Sequence, residues 1–177
     1  KTIFLLLIAF AISKNLRELA IDYPYQSEIN RLYAKHNEYR AKHGVPALTV
    51  TQLLENRSRN YAALLAAQGT LSYTGGIPPQ REIGENKYIT VTSGTPNFNG
   101  DDLADYWYSE IKNYDFSRPG YSTNAHYFTQ MVWKSTKEIG CGAAKGKFMN
   151  VDVFFVICYY SPSMNMSNNP DYRANVL

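Results

Sequence analysis

The sequence predicts one α+β domain in which helices cover a small, mainly antiparallel sheet. Three observations lead there. Helical and strand-like stretches alternate along 177 residues, a length suited to one domain with a real core. No glycine-rich phosphate loop and no regular strand–helix–strand repeat occurs, which argues against a doubly wound parallel sheet. Two strand-like runs, 139–144 and 151–160, flank a turn expected between Lys145 and Met149, as in a hairpin.

The N-terminus, KTIFLLLIAFAIS, sets Lys1 before an apolar run from Ile3 to Ile12. Ala11 and Ser13 are small residues at the spacing a signal peptidase reads, so residues 1–13 are expected to be a secretory signal, cut before Lys14. Ten apolar residues are too few to span a bilayer as a helix. An N-terminal membrane anchor or an amphipathic arm are the other readings of this stretch. Residues 14–26 form a mixed arm interrupted by Pro24, and 27–177 make up the single domain with its C-terminal tail.

Ser27 is expected to cap a helix whose face carries Ile29, Leu32, Tyr33, His36 and Tyr39. Gly44 supplies a left-handed stop, and Pro46 prevents resumption. A second helix is predicted over Gln52–Gln68, ending at Gly69, with an alanine-rich second half of high helix propensity. Leu71–Arg81 reads as a loop through its Gly-Gly and Pro-Pro pairs. Lys87–Thr92 has the β-branched and aromatic content of a strand, and Ser93–Asp101 reads as a loop with Phe98 as an apolar residue among turn formers. Asp101 is expected to cap the next helix, with Asp102 and Asp105 favouring its positive end. Tyr106, Trp107, Glu110, Ile111 and Tyr114 follow helical spacing, so Glu110 shares a face with large apolar side chains. A carboxylate there must find a partner, reach water or take up a proton. Pro119-Gly120 breaks the chain before a short helix predicted over Thr123–Trp133.

Composition narrows the function classes. A net charge of +3, with basic residues scattered, gives no footprint for nucleic acid. Fifteen tyrosines suit clefts that are half apolar and half wet. Cys141 and Cys158 fall on the two strands of the expected hairpin. A bridge between them would stabilise by roughly 3 kcal/mol and fits an oxidising compartment; two buried thiols are the alternative. Asn56-Arg57-Ser58 and Asn165-Met166-Ser167 are glycosylation sequons, Asn165 in the more favourable loop setting. His36 and His43 lie seven apart without a carboxylate-rich motif, so His36 reads as a core or cleft histidine.

WYSEIKNYDFSRPG followed by YFTQMVWKSTKEIGCG resembles the core signature of the CAP superfamily (SCP/TAPS; cysteine-rich secretory, antigen 5 and pathogenesis-related 1 proteins). AKHNEYRAKHGVPAL at 34–48, IGENKY at 83–88 and FVICYYSPSMN at 155–165 agree in order. The resemblance covers roughly residues 27–165 and implies a three-layer α-β-α sandwich around three or four strands. It also implies a cleft with two His and two Glu able to hold zinc. Here the glutamates correspond to Glu85 and Glu110. Tyr73 stands where the first histidine is expected, and Tyr127 where the second is, with His126 one residue early. One position turns a helical side chain by about 100°, and a phenol keeps its proton to about pH 10, so this set is expected to be a degenerate cleft that binds no metal. In this respect the chain is similar to divergent venom allergen-like proteins of parasitic worms that lack the usual histidine pair.

The expected function is that of a secreted, non-enzymatic lipid binder, with sterol or long-chain fatty acid as ligand, no cofactor and no catalytic residue. Host or partner proteins are possible further partners; nucleic acid and stable membrane insertion are not expected. The resemblance implies two candidate lipid sites. One is the gap between the helix of Ile29, Leu32 and Tyr33 and the helix of Leu103, Tyr106 and Trp107; the other is the loop with Tyr88, Val91 and Phe98. A secreted protein-interaction or immunomodulatory module, and a metal-binding protein using His126 with Glu85 and Glu110, are the alternatives.

Overall fold

The computed structural model describes residues 23–70, 83–92, 98–164 and 169–177. The signal expected at 1–13, most of the arm, the loop at 71–81 with Tyr73, and Asn165 lie outside the described residues. The elements in order are α1 (Gln26–Lys42), β1 (Thr49–Val50), α2 (Gln52–Gln68), β2 (Gly84–Thr92) and α3 (Gly100–Tyr108). A 3₁₀ turn (Ser109–Asn113), α4 (His126–Val132), β3 (Glu138–Phe148), β4 (Val151–Ser161) and α5 (Asn169–Asn175) follow.

α1 starts one residue before its expected cap, and Ser27 caps nothing. The chain instead turns over Tyr23–Gln26, the Gln26 amide donating to the Tyr23 carbonyl at 2.9 Å. Pro24 sits second in that turn, where its fixed φ is favoured. Gly44 then takes φ +63° and ends the helix as expected. α2 runs from Gln52 to Gln68 and stops at Gly69 in the left-handed region, as predicted.

The sheet has the order β1-β3-β4-β2, with β1 parallel to β3 and the other pairs antiparallel. The β3–β4 hairpin extends beyond its predicted limits. Its turn is confined to Met149 and Asn150, both at positive φ, which matches the right-handed twist of the strands. Likewise β2 begins at Gly84 rather than Lys87, so Glu85 and Asn86 are strand residues.

Alternation along β4 divides the core. Val153, Phe155 and Ile157 meet Ala62 and Leu65 of α2. Phe154, Val156, Cys158 and Tyr160 face the larger cluster with Ile29 and Leu32 of α1, Leu103 and Trp107 of α3, and Phe128 and Met131 of α4. Helices therefore cover both faces, giving the sandwich. α2 lies against β3 because Gly140 and Gly142 have no side chain; a Cβ on Gly142 would sit 2.2 Å from the Arg59 amide nitrogen. Cys141 and Cys158 pair directly across the hairpin and are joined as a disulfide.

Beyond the two-residue β1, the edge of β3 is covered by tyrosines. Tyr33 accepts from the Cys141 amide at 2.6 Å and donates to Glu55 at 3.1 Å. Tyr23 bonds both the amide and the carbonyl of Ala143. Phenols thus satisfy backbone groups that a neighbouring strand would otherwise pair.

Candidate functional site

At the opposite edge of the sheet, Glu85 lies on β2, while Glu110 and Tyr127 belong to the 3₁₀ turn and α4 in the layer on the other face. Asn99, rather than the expected Asp101, caps α3, accepting from the Asp101 and Asp102 amides at 2.9 and 3.2 Å. The two aspartates occupy the first turn instead. α3 ends at Tyr108, and Glu110 lies in the tighter 3₁₀ turn, not on a continued α-helix. That change of pitch redirects its carboxylate towards the start of α4. Oε2 accepts from the Tyr127 amide at 2.8 Å and the Phe128 amide at 3.2 Å, and these are donors a helix leaves unpaired at its first turn.

Glu110 is thus the partner of α4. Burial raises its pKa, opposed by the Phe128 and Tyr127 amides and by the charge of His126. The bond that ties Tyr127 to this carboxylate runs through its backbone amide. The phenol nonetheless sits in the field of acidic neighbours. Its pKa is raised by burial first, then by Tyr106, Glu110 and Glu85.

Glu85 pairs in register with Tyr159, on the α2 side of the sheet. Burial raises its pKa as well, against the opposing charge of Lys87 at 3.9 Å and a bond from Tyr159. The next residue, Asn86, points to the other face, is fully buried and donates to the Tyr127 carbonyl at 3.1 Å. Asn86 therefore ties β2 to α4. Alternation along β2 is the signal that separates it from Glu85, and it becomes readable only once the strand is known to begin at Gly84.

His126 does not join the carboxylates as a ligand. Its Nδ1 is paired with the Thr123 carbonyl at 2.8 Å, and its ring packs at 4.0 Å on Tyr127. With Glu110 Oε2 engaged by two amides, the donor set does not fit a zinc ion, which favours imidazole or thiolate nitrogen and sulfur. Among the described residues no three His, Cys, Asp or Glu side chains gather within reach of one ion. His36 is a satisfied core residue, fully buried between the Leu32 carbonyl at 2.7 Å and the Tyr160 hydroxyl at 2.8 Å.

Of the helix-gap residues, Ile29, Leu32, Leu103 and Trp107 are core, and Tyr33 is committed to β3 and Glu55. No groove separates the helices near Gly100, where an added Cβ would meet the Glu28 carbonyl oxygen at 2.0 Å. The expected gap is closed at that end by helix packing. Tyr106 is the exception, 56% exposed, with its ring 5.8 Å from Tyr88. Phe98 of the second set is buried against Tyr25 and Phe154, and Val91 lies on β2. Asn56 is exposed on α2, its side chain accepting from Gln52 at 2.9 Å.

Sequence reasoning missed Arg40. Fully buried on α1, it donates to the carbonyls of Pro46, Met131, Trp133 and Thr136. It locks the loop after α4, and so the cleft wall, to α1. A lone arginine on an otherwise apolar helix face was the available signal.

Comparison with known proteins gives a consistent picture. The model of the family described as CAP, cysteine-rich secretory protein family, matches residues 33–160. Golgi-associated plant pathogenesis-related protein 1 of Homo sapiens is 37% identical over 148 residues, 84% of this chain and 91% of that protein. Secreted protein RBT4 of Candida albicans is 31% identical over 132 residues, 74% of this chain but 34% of that longer protein. Among solved structures, venom allergen-like protein 4 of Schistosoma mansoni superposes with a TM-score of 0.58 at 22% identity, covering 78% of this chain and 90% of that one.

Proposed function

The chain belongs to the cysteine-rich secretory protein (CAP) family, and from that premise we propose that it is a secreted, non-enzymatic binder of sterol or long-chain fatty acid. In sequence, Tyr73 and Tyr127 stand where the family's histidines are expected, so the cleft is read as degenerate with respect to metal. The lipid lies on the β2 side, against Tyr88 and Tyr106. The observation that carries this reading is the Tyr88–Tyr106 pair, in which exposed Tyr106 packs on half-buried Tyr88. On that face Glu110 has its ionisation disfavoured by burial, which lowers the cost of laying an apolar ligand beside it. Covering such a surface stabilises by about 0.8 kcal/mol per methylene, enough for a long acyl chain to bind along a shallow groove. The α1–α3 gap is the second position; it requires the helices to part around Gly100.

Titration with labelled sterol and labelled fatty acid, each with unlabelled competitor, tests the reading. Saturable uptake is expected, reduced about tenfold or more by Tyr88→Ala, since truncating a packed aromatic removes well over 1 kcal/mol, and little changed by Leu103→Ala. The reverse pattern moves the lipid to the helix gap. No saturable uptake of either ligand sinks the lipid reading and leaves a secreted protein-interaction module, which exposed Tyr106, Phe116 and Tyr121 favour. Secretion is part of the proposal, supported by the similarity to secreted protein RBT4 of Candida albicans. A product of expression in secretory cells that retains residues 1–13 would overturn it.

A further inference from the structure

The Asn56-Arg57-Ser58 sequon lies on α2, a helix to which the lipid reading gives no role. We propose that Asn56 carries an N-linked glycan, attached while the chain enters a secretory compartment and before α2 docks on the sheet, and that this sugar covers the apolar surface at Val50 and Leu53. The inference rests on the secretion reading and is independent of the lipid.

The fold leaves the acceptor open. Asn56 is exposed, and its Oδ1 accepts from Gln52 Nε2 at 2.9 Å along the helix surface. Nδ2, the atom that takes the sugar, meets no partner among the described residues. On the same face lies Leu53, 69% exposed, and Val50 at the entrance to the helix is 41% exposed. Among the large hydrophobic residues described, Met149 alone is more exposed than Leu53. Positions three apart on a helix are neighbours, with about 5–6 Å between Cβ atoms. The first N-acetylglucosamine on Asn56 therefore reaches Leu53 and can set its acetyl methyl and apolar ring face against it.

The third residue of the sequon fixes when the sugar must be added. A transferase reads its hydroxyl, yet Ser58 is fully buried, with Oγ donating to the Gly140 carbonyl at 2.7 Å. In the folded protein half of the signal is hidden under β3. Gly140 follows Ser58 by 82 residues. At about 5–20 residues per second, the sequon waits on the order of ten seconds before its partner strand is made. Throughout that interval α2 has no sheet to pack against, and Ser58 is open. In the transfer, Asn56 Nδ2 displaces polyprenyl diphosphate from C1 of a lipid-linked oligosaccharide. The C–O bond to the diphosphate breaks, the N–C glycosidic bond forms, and one amide proton is released as the diphosphate departs. The product is a bulky, solubilising group on the outer surface of α2.

Expression of the full chain in secretory eukaryotic cells tests the proposal. Peptide-N-glycosidase digestion in heavy-oxygen water turns a glycosylated asparagine into labelled aspartate. Mass spectrometry of the peptide that holds Asn56 keeps the Asn165 sequon out of the measurement. Label at Asn56 is expected in protein from the medium, and Asn56→Gln is expected to lose the mass of one glycan. Refolded, unglycosylated chain given purified transferase and lipid-linked oligosaccharide is expected to take no sugar at Asn56, because Ser58 is then buried. Enzymatic removal of the sugar is expected to lower the onset temperature of aggregation, and Leu53→Lys to restore it. Protein in the medium with Asn56 unlabelled overturns the proposal and leaves secretion standing; chain found in the cell lysate alone, and unlabelled, overturns both. Labelling of the refolded chain overturns the order of events, and an aggregation onset indifferent to the sugar overturns the covering of Leu53.

Discussion

His36 and the two cleft glutamates make opposite demands on pH. Burial holds His36 neutral, its pKa lowered from 6.5 to about 4, with the Arg40 charge adding to the effect. Between those values the unfolded chain takes up a proton that the folded chain refuses, so stability falls as pH drops through that window, by at most about 3 kcal/mol. Glu85 and Glu110 have raised values; the folded protein keeps their protons where the unfolded chain has lost them, and stability falls as pH rises past the ordinary glutamate value. The windows overlap and partly cancel. In urea denaturation across mildly acidic pH, Glu85→Gln is therefore expected to steepen the rise of stability with pH, and His36→Gln to remove that rise. Glu110→Ala removes the acceptor of two α4 amides and is expected to cost about 1–2 kcal/mol, the range of a lost helix cap, with the loss visible as earlier exchange of the Tyr127 and Phe128 amides. The need of Glu110 for a partner was legible from its apolar neighbours. The partner itself was not, because helical spacing assumes 100° per residue and the chain tightens to a 3₁₀ turn at Ser109.

At the scale of elements, close approach of backbones sets what the fold tolerates. Gly142 lets α2 rest on β3, and Gly142→Ala pushes a methyl to 2.2 Å from the Arg59 amide nitrogen. Overpacking against rigid backbone is expected to cost about 3 kcal/mol, measurable as a lower denaturation midpoint with an unchanged slope. Replacing both Cys141 and Cys158 with serine opens the 17-residue separation between them and is expected to cost about 3 kcal/mol. The limits of α2 were readable because Gly69 ends an alanine-rich helix by a purely local rule. The hairpin was read too short. Lys145, Gly146 and Lys147 carry little apolar alternation, yet their backbone bonds to β4 continue the ladder to the tip. The two-residue β1 carries no periodic signal at all, and it exists only because β3 is there to pair with it.

For the molecule as a whole, the β2 edge and the helix gap make different predictions about motion. Lipid on the Tyr88 side leaves α1 and α3 in contact, whereas lipid between them must separate Gly100 from Glu28. Hydrogen exchange of the α3 amides should therefore be unchanged or slowed on saturation with fatty acid; accelerated exchange there would mark opening of the gap. Zinc is expected to produce no micromolar binding heat, and His126→Ala to leave the titration unchanged, since Nδ1 is paired with Thr123 and the Glu110 oxygen with α4. Micromolar zinc binding abolished by His126→Ala would reverse this view of the cleft.

Local chemistry sufficed for what short stretches of chain dictate: an α+β domain, the extent of α2, the stop at Gly44, and a hairpin that sets Cys141 against Cys158. The partners of the cleft residues lay beyond it. Glu110 is satisfied by amides 17 and 18 residues onward, Arg40 by carbonyls of Met131, Trp133 and Thr136 some ninety residues onward, and Gly100 by a helix more than seventy residues earlier. A hydrogen bond or a backbone contact depends on positions in space. Residues far apart in sequence acquire those positions only when the sheet and its two helical layers have closed around them.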